Sequence, residues 1–331
     1  MKITNTMKRS KAEDLLLISL VNALSSALDE RTHFNVTHTQ NMAFYANKFL
    51  DWLDETKHPF AFDYERRKAF ILSVWLHDVG KITIPTHIMM KPTRLGYLEN
   101  YIIDRFRIIS LLNKVAFVQG AISRETYEER EQELNDAKEF IKSVNRKEFL
   151  SSEDIEEIEK YSKRTYVNEK NQITTWFTDE ELECLTIQRG TLNNIEREKM
   201  KSHVLMTDKI LKNVAFPDRY KDIRRWVLGH HEFLDGSGYP NGLSGNDISD
   251  ETRLLTIMDI FEALTAKDRP YKEPKTPGDA IGILQSMAQE GKIDAEILSL
   301  FYKSGVWRLE VDETDANILN FRYVLESIIE N

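Results

Sequence analysis

The chain has 331 residues, with 45 Lys and Arg against 54 Asp and Glu, a formal charge of −9. It is 41% apolar, which excludes wholesale disorder, and 13 Gly with 8 Pro exclude a collagen-like or linker-rich chain. The acidic balance argues against a partner in long nucleic acid, which demands clustered Lys and Arg. The single cysteine, Cys184, cannot form an internal disulfide, so a reducing compartment, the cytoplasm, is expected.

The apolar run Leu15 to Leu28 is broken by Asn22, Ser25 and Ser26 and is too short to span a bilayer. Helical spacing of apolar residues predicts helices over Lys11–Leu28, Thr37–Leu53 and Asp63–His77, the last stopping at Asp78-Val79-Gly80 with Gly80 as its C-terminal stop. Lys81-Ile82-Thr83-Ile84-Pro85 is the one strand-like piece, so the predicted fold class is all-α.

From Gly96 to about Arg189 the chain changes character. Leu98, Ile102, Phe106, Ile109 and Leu112 form one stripe, and Tyr127, Leu134, Ala137, Ile141 and Val144 form another. Gly120 and Ser123 lie between them as turn and N-cap, which predicts a helical hairpin. An acidic helix capped by Ser151 or Ser152 follows, then an irregular stretch around Asn168 to Thr178. Further helices are expected at about 194–213, 217–232, 250–267, 277–290 and 293–303. HHEFLDGSGYPNGLSG (230–245) carries four glycines and reads as a loop.

Five histidines and two aspartates carry the chemistry: His38, His77, Asp78, His203, His230, His231 and Asp259. The pair His77-Asp78 follows the apolar Ile71-Leu72-Ser73-Val74-Trp75-Leu76, and His230-His231 follows Trp226-Val227-Leu228. Ionisable groups at the end of a buried segment are costly unless paired or metal-bound. Imidazole with carboxylate suits Mn, Fe or Zn, and a carboxylate can bridge two cations. His33, His58 and His87 read as surface or helix-end residues, Cys184 as inert, and Trp75 and Trp226 as core. Glu232 is left between orienting an imidazole and lying solvated in the loop.

Several segments resemble a known family. LHDVGKITIP (76–85), KSHVLMTDKIL (201–211), HHEFLDGSGYP (230–240) and RLLTIMDIFEALTAKDRPYK (253–272) are similar, in order, to the signature segments of the HD-GYP branch of the HD-domain phosphohydrolases. The resemblance implies an HD-domain helical bundle extended by HD-GYP helices, formed discontinuously by 1–95 and 190–308. A helical insert at 96–189 and an acidic tail at 309–331 complete the chain.

It further implies metal ligands at His38, His77, Asp78 and Asp259, with His203, His230 and His231 added and Asp78 bridging. Lys81 resembles the lysine that meets phosphate or the nucleophile, and Arg269 and Lys272 the basic pair at the substrate phosphates. Gly238, Tyr239 and Pro240 would shape the site mouth, with glycine for positive φ and proline for rigidity. Tyr271 is weighed between stacking on a base and packing.

Where some members of the family have a third-metal glutamate, this chain has Phe34. Two divalent cations are therefore expected, Fe or Mn favoured over Zn, Ni, Co or Mg, with His231 either a ligand or a group behind one. The implied reaction is hydrolysis of cyclic di-GMP, a bacterial second messenger, to pGpG and/or GMP by a metal-bridging hydroxide. The alternatives are another cyclic dinucleotide or nucleotide as substrate, or a non-enzymatic module that binds nucleotide or docks diguanylate cyclase (GGDEF) proteins. The insert is read either as a surface for self-association, making a homodimer, or as passive decoration.

The acidity is unevenly spread. Segments 1–95 and 191–308 carry +3 and −1, whereas 96–190 and 309–331 carry −6 and −5. The motif-bearing segments are thus close to neutral before any cation is counted.

Overall fold

The computed structural model describes residues 2–31, 33–168, 170–267 and 274–311, without the side chains of 2–11, 29 and 33–36. Arg269, Tyr271, Lys272 and the tail from 312 onward therefore lie outside the described residues, as do the side chains of His33 and Phe34. In chain order the helices are α1 (Lys2–Asp29), α2 (His33–Glu55), α3 (Tyr64–Leu76), α4 (Thr86–Met89), α5 (Leu98–Val118), α6 (Arg124–Val144) and α7 (Ser152–Ser162). They continue with α8 (Asp179–Leu185), α9 (Asn194–Lys201), α10 (His203–Leu211), α11 (Ile223–Leu228), α12 (Asp250–Thr265), α13 (Pro277–Gln289) and α14 (Ala295–Ser304). The fold is all-α apart from a small hairpin of β1 (Thr165–Val167) and β2 (Ile173–Thr175). No described helix is long and apolar enough to cross a membrane.

The chain forms two compact units. One contains the described residues of Met1–Ile84, Lys199–Arg269 and Glu273–Asn331, and the other contains Pro85–Glu198. Each has its own apolar core. The second unit is wider at both ends than 96–189, because Arg94 and Lys91 are anchored inside it. Arg94 is fully buried and donates to the carbonyls of Ile187 and Val144 at 2.7 and 2.8 Å. Lys91 Nζ pairs with Glu196 at 2.7 Å.

Within that second unit α5 and α6 form the hairpin. Ser123 caps α6 by accepting from Thr126 N–H, and Ser151 caps α7 in a reciprocal capping box. Leu98, Ile102, Phe106 and Ile109 are buried, but Leu112 is exposed and Asn113 takes the inward position. A period of 3.6 residues carries the fifth stripe position off the core face, so Asn113 follows Ile109 at i+4. Its amide donates to Glu131 Oε1 at 3.1 Å. The irregular stretch contains β2, with β1 just before it, and Cys184 is buried, with burial raising its thiol pKa.

In the first unit α3 is the central helix. Asp63 caps it by accepting from Arg66 N–H at 2.8 Å, and every residue from Lys68 to Leu76 is buried. Trp75 and Trp226 both belong to this core. The helix ends at Leu76, and Lys81-Ile82-Thr83 lies in a 3₁₀ turn (Val79–Thr83) rather than a strand. The stretch 194–213 breaks into α9 and α10, and 217–232 becomes a 3₁₀ turn at Asp218–Tyr220 followed by α11.

Gly80 does not act as a helix stop, since its φ is not positive. Its hydrogen is needed for close approach: a Cβ there would lie 2.0 Å from the His203 carbonyl oxygen and 2.4 Å from Thr207 N. The Gly80 N–H donates to Thr207 Oγ1 at 2.9 Å, and that hydroxyl donates to the His77 carbonyl at 3.2 Å. The His-Asp turn thus rests directly on the backbone of α10. Gly80→Ala is expected to destabilise the protein by about 2 kcal/mol or more, as backbone overpacking does, lowering the denaturation midpoint. An unchanged midpoint in urea titration would refute this packing account.

Candidate metal centre

Seven sequence-predicted ligands converge at one place in the first unit. His38 comes from α2, His77 and Asp78 from the end of α3, His203 from the start of α10, His230 and His231 from the end of α11, and Asp259 from the middle of α12. His77 and His230 are fully buried, and His203, Asp78 and His38 nearly so. The ligand atoms fall into two groups, His38 with His77 and Asp78, and His203 with His230 and His231. Within each group the atoms lie within 4.8 Å of one another.

Two carboxylates stand between the groups. Asp78 Oδ2 lies 3.2 Å from His77 Nε2, and its Oδ1 lies 3.2 Å from His203 Nε2. Asp259 Oδ1 lies 3.3 Å from His38 Nε2, and its Oδ2 lies 3.8 Å from His231 Nδ1. A two-oxygen group reaching both histidine groups is the geometry a bridging ligand requires.

Local helix geometry sets the tautomers. The Nδ1 atoms of His77, His203 and His230 lie 2.7, 2.7 and 2.6 Å from the carbonyls of Val74, Met200 and Val227. Each is the residue three positions earlier. A carbonyl only accepts, so Nδ1 carries the proton and Nε2 presents its lone pair. Nε2 of His203, Nε2 of His230 and Oδ1 of Asp78 are buried without a hydrogen bond. Buried polar atoms left unsatisfied are costly, and a cation is the partner that suits all three at once.

Electrostatics reinforce this. Burial first, then the neighbouring His231, drives the His230 imidazole well below its ordinary pKa. His231 is lowered to about 4, burial outweighing the pull of Asp259. Both are therefore neutral at pH 7, the form that binds metal. Burial would raise the Asp78 carboxyl, but Lys81 and His77 overcome it and hold that pKa well below the usual range. Lys81 Nζ donates to Asp78 Oδ2. His38 is pushed up to about 10: burial opposes its charge, and Glu262 and Asp259 outweigh burial.

Glu262, which the motifs did not single out, is the added member. It is buried on α12, its Oε2 accepts from His38 Nδ1, and its Oε1 accepts from Asn41 Nδ2 at 2.9 Å. The available signal was its place three residues after Asp259, one turn along the same face. Carboxylates behind a ligating histidine fix ring orientation and raise its basicity. Glu262→Gln is expected to weaken metal affinity about 10- to 100-fold. Titration of the metal-stripped protein with Mn²⁺ measures this, and equal affinities would remove Glu262 from the site.

The glycine-rich loop differs from expectation in two details. Glu232 is neither solvated nor turned to an imidazole: it is buried and accepts from the N–H groups of Asn241 at 2.7 Å and Leu243 at 2.9 Å. Those two orphan donors of the loop need an acceptor, and a buried carboxylate supplies both. Gly238 has no positive φ. A Cβ there would lie 2.4 Å from Phe233 N and 2.5 Å from the His231 carbonyl, so only glycine lets the loop fold back this tightly. Tyr239, next to Pro240, then sets its ring against His231, centroids 4.8 Å apart.

A family model described as HD domain matches residues 172–297, the span that holds His203, His230, His231 and Asp259. Domains of this class that act as phosphohydrolases depend on metal, and the clusters here are able to bind it. The chain thus carries a match to an HD domain, and relatives similar to it over about a third of its length are named phosphodiesterases of cyclic dinucleotides.

It is 35% identical over 115 residues to a 3'3'-cGAMP-specific phosphodiesterase of Vibrio cholerae, covering 35% of this chain and 24% of that protein. It is 35% identical over 112 residues to a cyclic di-GMP phosphodiesterase response regulator of Xanthomonas campestris, 34% of this chain and 28% of that one. A cyclic di-GMP phosphodiesterase of Thermotoga maritima is 33% identical over 135 residues, 39% of this chain and 36% of the other. The chain thus spans about a quarter to a third of the length of these relatives.

Proposed function

We propose that this chain is a metal-dependent phosphodiesterase that hydrolyses cyclic di-GMP to pGpG and/or GMP. The observation that carries the reading is the position of Asp78 and Asp259 between two histidine groups, in the second of which the Nε2 atoms of His203 and His230 are buried without a hydrogen bond. His38, His77, Asp78, His203, His230, His231 and Asp259 would hold two divalent cations, with Fe or Mn favoured by the mixed imidazole and carboxylate set. Such cations supply Lewis-acid polarisation of the phosphodiester and lower the pKa of bound water.

The chain's own residues do the rest. Burial keeps His230 and His231 neutral, and Lys81 keeps Asp78 ionised. Arg269 and Lys272 would offset charge on the non-bridging phosphate oxygens, as preorganised cations do. Tyr239 beside His231 would wall the substrate, the loop behind it being tied down by Glu232. Action on a signalling dinucleotide fits a cytoplasmic location.

A second reading, 3'3'-cGAMP as the preferred substrate, is favoured by the names of three Vibrio relatives. The test is an anaerobic preparation loaded with Mn or Fe and given each dinucleotide in turn, with products separated by chromatography. Turnover of cyclic di-GMP at the higher kcat/KM is the expected result. Preference for 3'3'-cGAMP would move the assignment to the second reading. Tight binding without turnover would instead make the chain a nucleotide-binding module, with its GYP loop the place to seek a docked diguanylate cyclase.

A further inference from the structure

Helix α5 uses only one of its faces inside its own unit. Leu98, Ile102, Phe106 and Ile109 pack inward, and a second stripe lies exposed on the opposite side: Tyr101, Asp104, Ile108, Leu111, Val115 and Val118. The intervals in that stripe are three, four, three, four and three. That is the a/d repeat of a coiled-coil seam, and the only charged position in it is Asp104. Leu111 is 63% exposed and Val118 74%.

The five apolar side chains are each 49–74% exposed, which leaves on the order of several hundred Å² of apolar surface bare. Patches on that scale, roughly 300–600 Å², are the largest found on typical monomers, and an ordinary interface takes about 800 Å² from each partner. Seams of this kind need a facing helix with the same spacing.

We infer that the exposed seam of α5 binds α5 of a second copy, antiparallel, to make a two-fold dimer. Charge selects this arrangement. In a parallel pair Asp104 would meet its own symmetry mate at the buried seam, which is unfavourable. In an antiparallel pair Ile108 faces the partner's Leu111, and Tyr101 faces the partner's Val118. Asp104 then falls beside the partner's Val115 and within reach of the partner's Lys114, and two-fold symmetry makes that contact twice. Asp104 is now paired at 2.8 Å with Arg107, and both side chains are well exposed, so exchanging that partner costs little. The inference gives the self-association reading of this insert a definite surface and does not rest on the chemistry proposed for the metal centre.

Sedimentation of the full chain over a concentration series tests it. The wild type is expected to dimerise, and Ile108→Glu with Leu111→Glu to weaken the dimer at least tenfold while helicity and Tm hold. Asp104→Lys alone should weaken it, and Asp104→Lys with Lys114→Asp should restore it. Oxidation of Tyr101→Cys with Val118→Cys should cross-link two chains, whereas Tyr101→Cys alone should not.

A wild type that stays monomeric throughout overturns the inference, as does a dimer indifferent to Ile108→Glu with Leu111→Glu. Cross-linking by Tyr101→Cys alone overturns the antiparallel register. A monomer that binds vesicles of anionic lipid through this face would reassign the seam to a membrane surface and equally overturn the dimer. None of these outcomes depends on metal content or turnover, so they separate from failure of the phosphodiesterase reading.

Discussion

Asp78→Ala is expected to abolish both metal retention and turnover. Among the described residues, Asp78 is the one side chain that reaches His77 through one oxygen and His203 through the other. Removing it leaves two histidine groups with no common carboxylate between them except Asp259, whose contacts are His38 and His231. Losing several kcal/mol of charge stabilisation, at 1.36 kcal/mol per decade, corresponds to a rate at least about 10³-fold lower. Metal analysis after gel filtration should show less than half the wild-type content. A thermal-shift measurement gives an independent readout. A cation at 100 times its Kd stabilises the wild type by about 2.7 kcal/mol, and that rise should vanish in the variant. Full metal content with normal turnover in Asp78→Ala would overturn the assignment of this centre.

The second large effect lies away from the chemistry. Asp14 on α1 is buried, and it accepts from Lys68 Nζ at 2.6 Å, Arg219 at 2.8 Å and the Tyr220 hydroxyl at 3.0 Å. Asp14→Asn takes the carboxylate from the buried Lys68 ammonium and leaves Arg219 to its longer pairs with Glu13 at 3.5 Å and Glu65 at 3.7 Å. Breaking a buried pair in this way costs about 3–5 kcal/mol, or roughly 10 °C in Tm.

The pH dependence follows from the direction of the shift. Burial alone would raise the Asp14 carboxyl, but Arg219 and Lys68 outweigh it and hold the folded pKa below the ordinary 3.8. Its contribution is complete above that ordinary value and is lost as pH falls through the lower, folded one. Lys68 is raised, chiefly by Asp14 acting against burial, so its contribution is complete below the ordinary 10.5 and is lost as pH rises through the folded value. Acid unfolding of wild type should therefore be steeper below pH 4 than that of Asp14→Asn. Parallel acid limbs would show that the carboxyl carries no linkage.

Much of the site was legible because its chemistry is local in sequence. An adjacent His-Asp pair after nine buried residues of α3, and an adjacent His-His pair at the end of α11, announce themselves without a fold. Glu262 did not, because a glutamate on a helix is ordinarily solvated. Only the packing of α12 against α2 brings it to His38, 224 positions away.

The glycines misled for a related reason. Gly80 and Gly238 are indispensable for what lies against them, the backbone of α10 and that of residues 231–233, and sequence carries no sign of a through-space neighbour. The helices were found where apolar period and capping agreed, as at Ser123 and Ser151. Short elements such as the 3₁₀ turns and the β1–β2 hairpin were missed, since three to five residues carry too little period to read.

The ion pair between Lys91 and Glu196 has a bearing on how the chain folds. His77 and Asp78 precede the second unit in sequence, and His203, His230, His231 and Asp259 follow it, so the candidate centre is closed across more than a hundred intervening residues. A flexible excursion of that length is entropically harder to close than a ten-residue one by about 2 kcal/mol. Once the second unit has folded around its own core, residues 91 and 196 are clasped together, and the two halves of the centre become near neighbours along the chain. The insert then works as a splint. Pulsed hydrogen exchange during refolding should find α5 and α6 protected before α10 and α12, and the reverse order would show the centre assembling without that help.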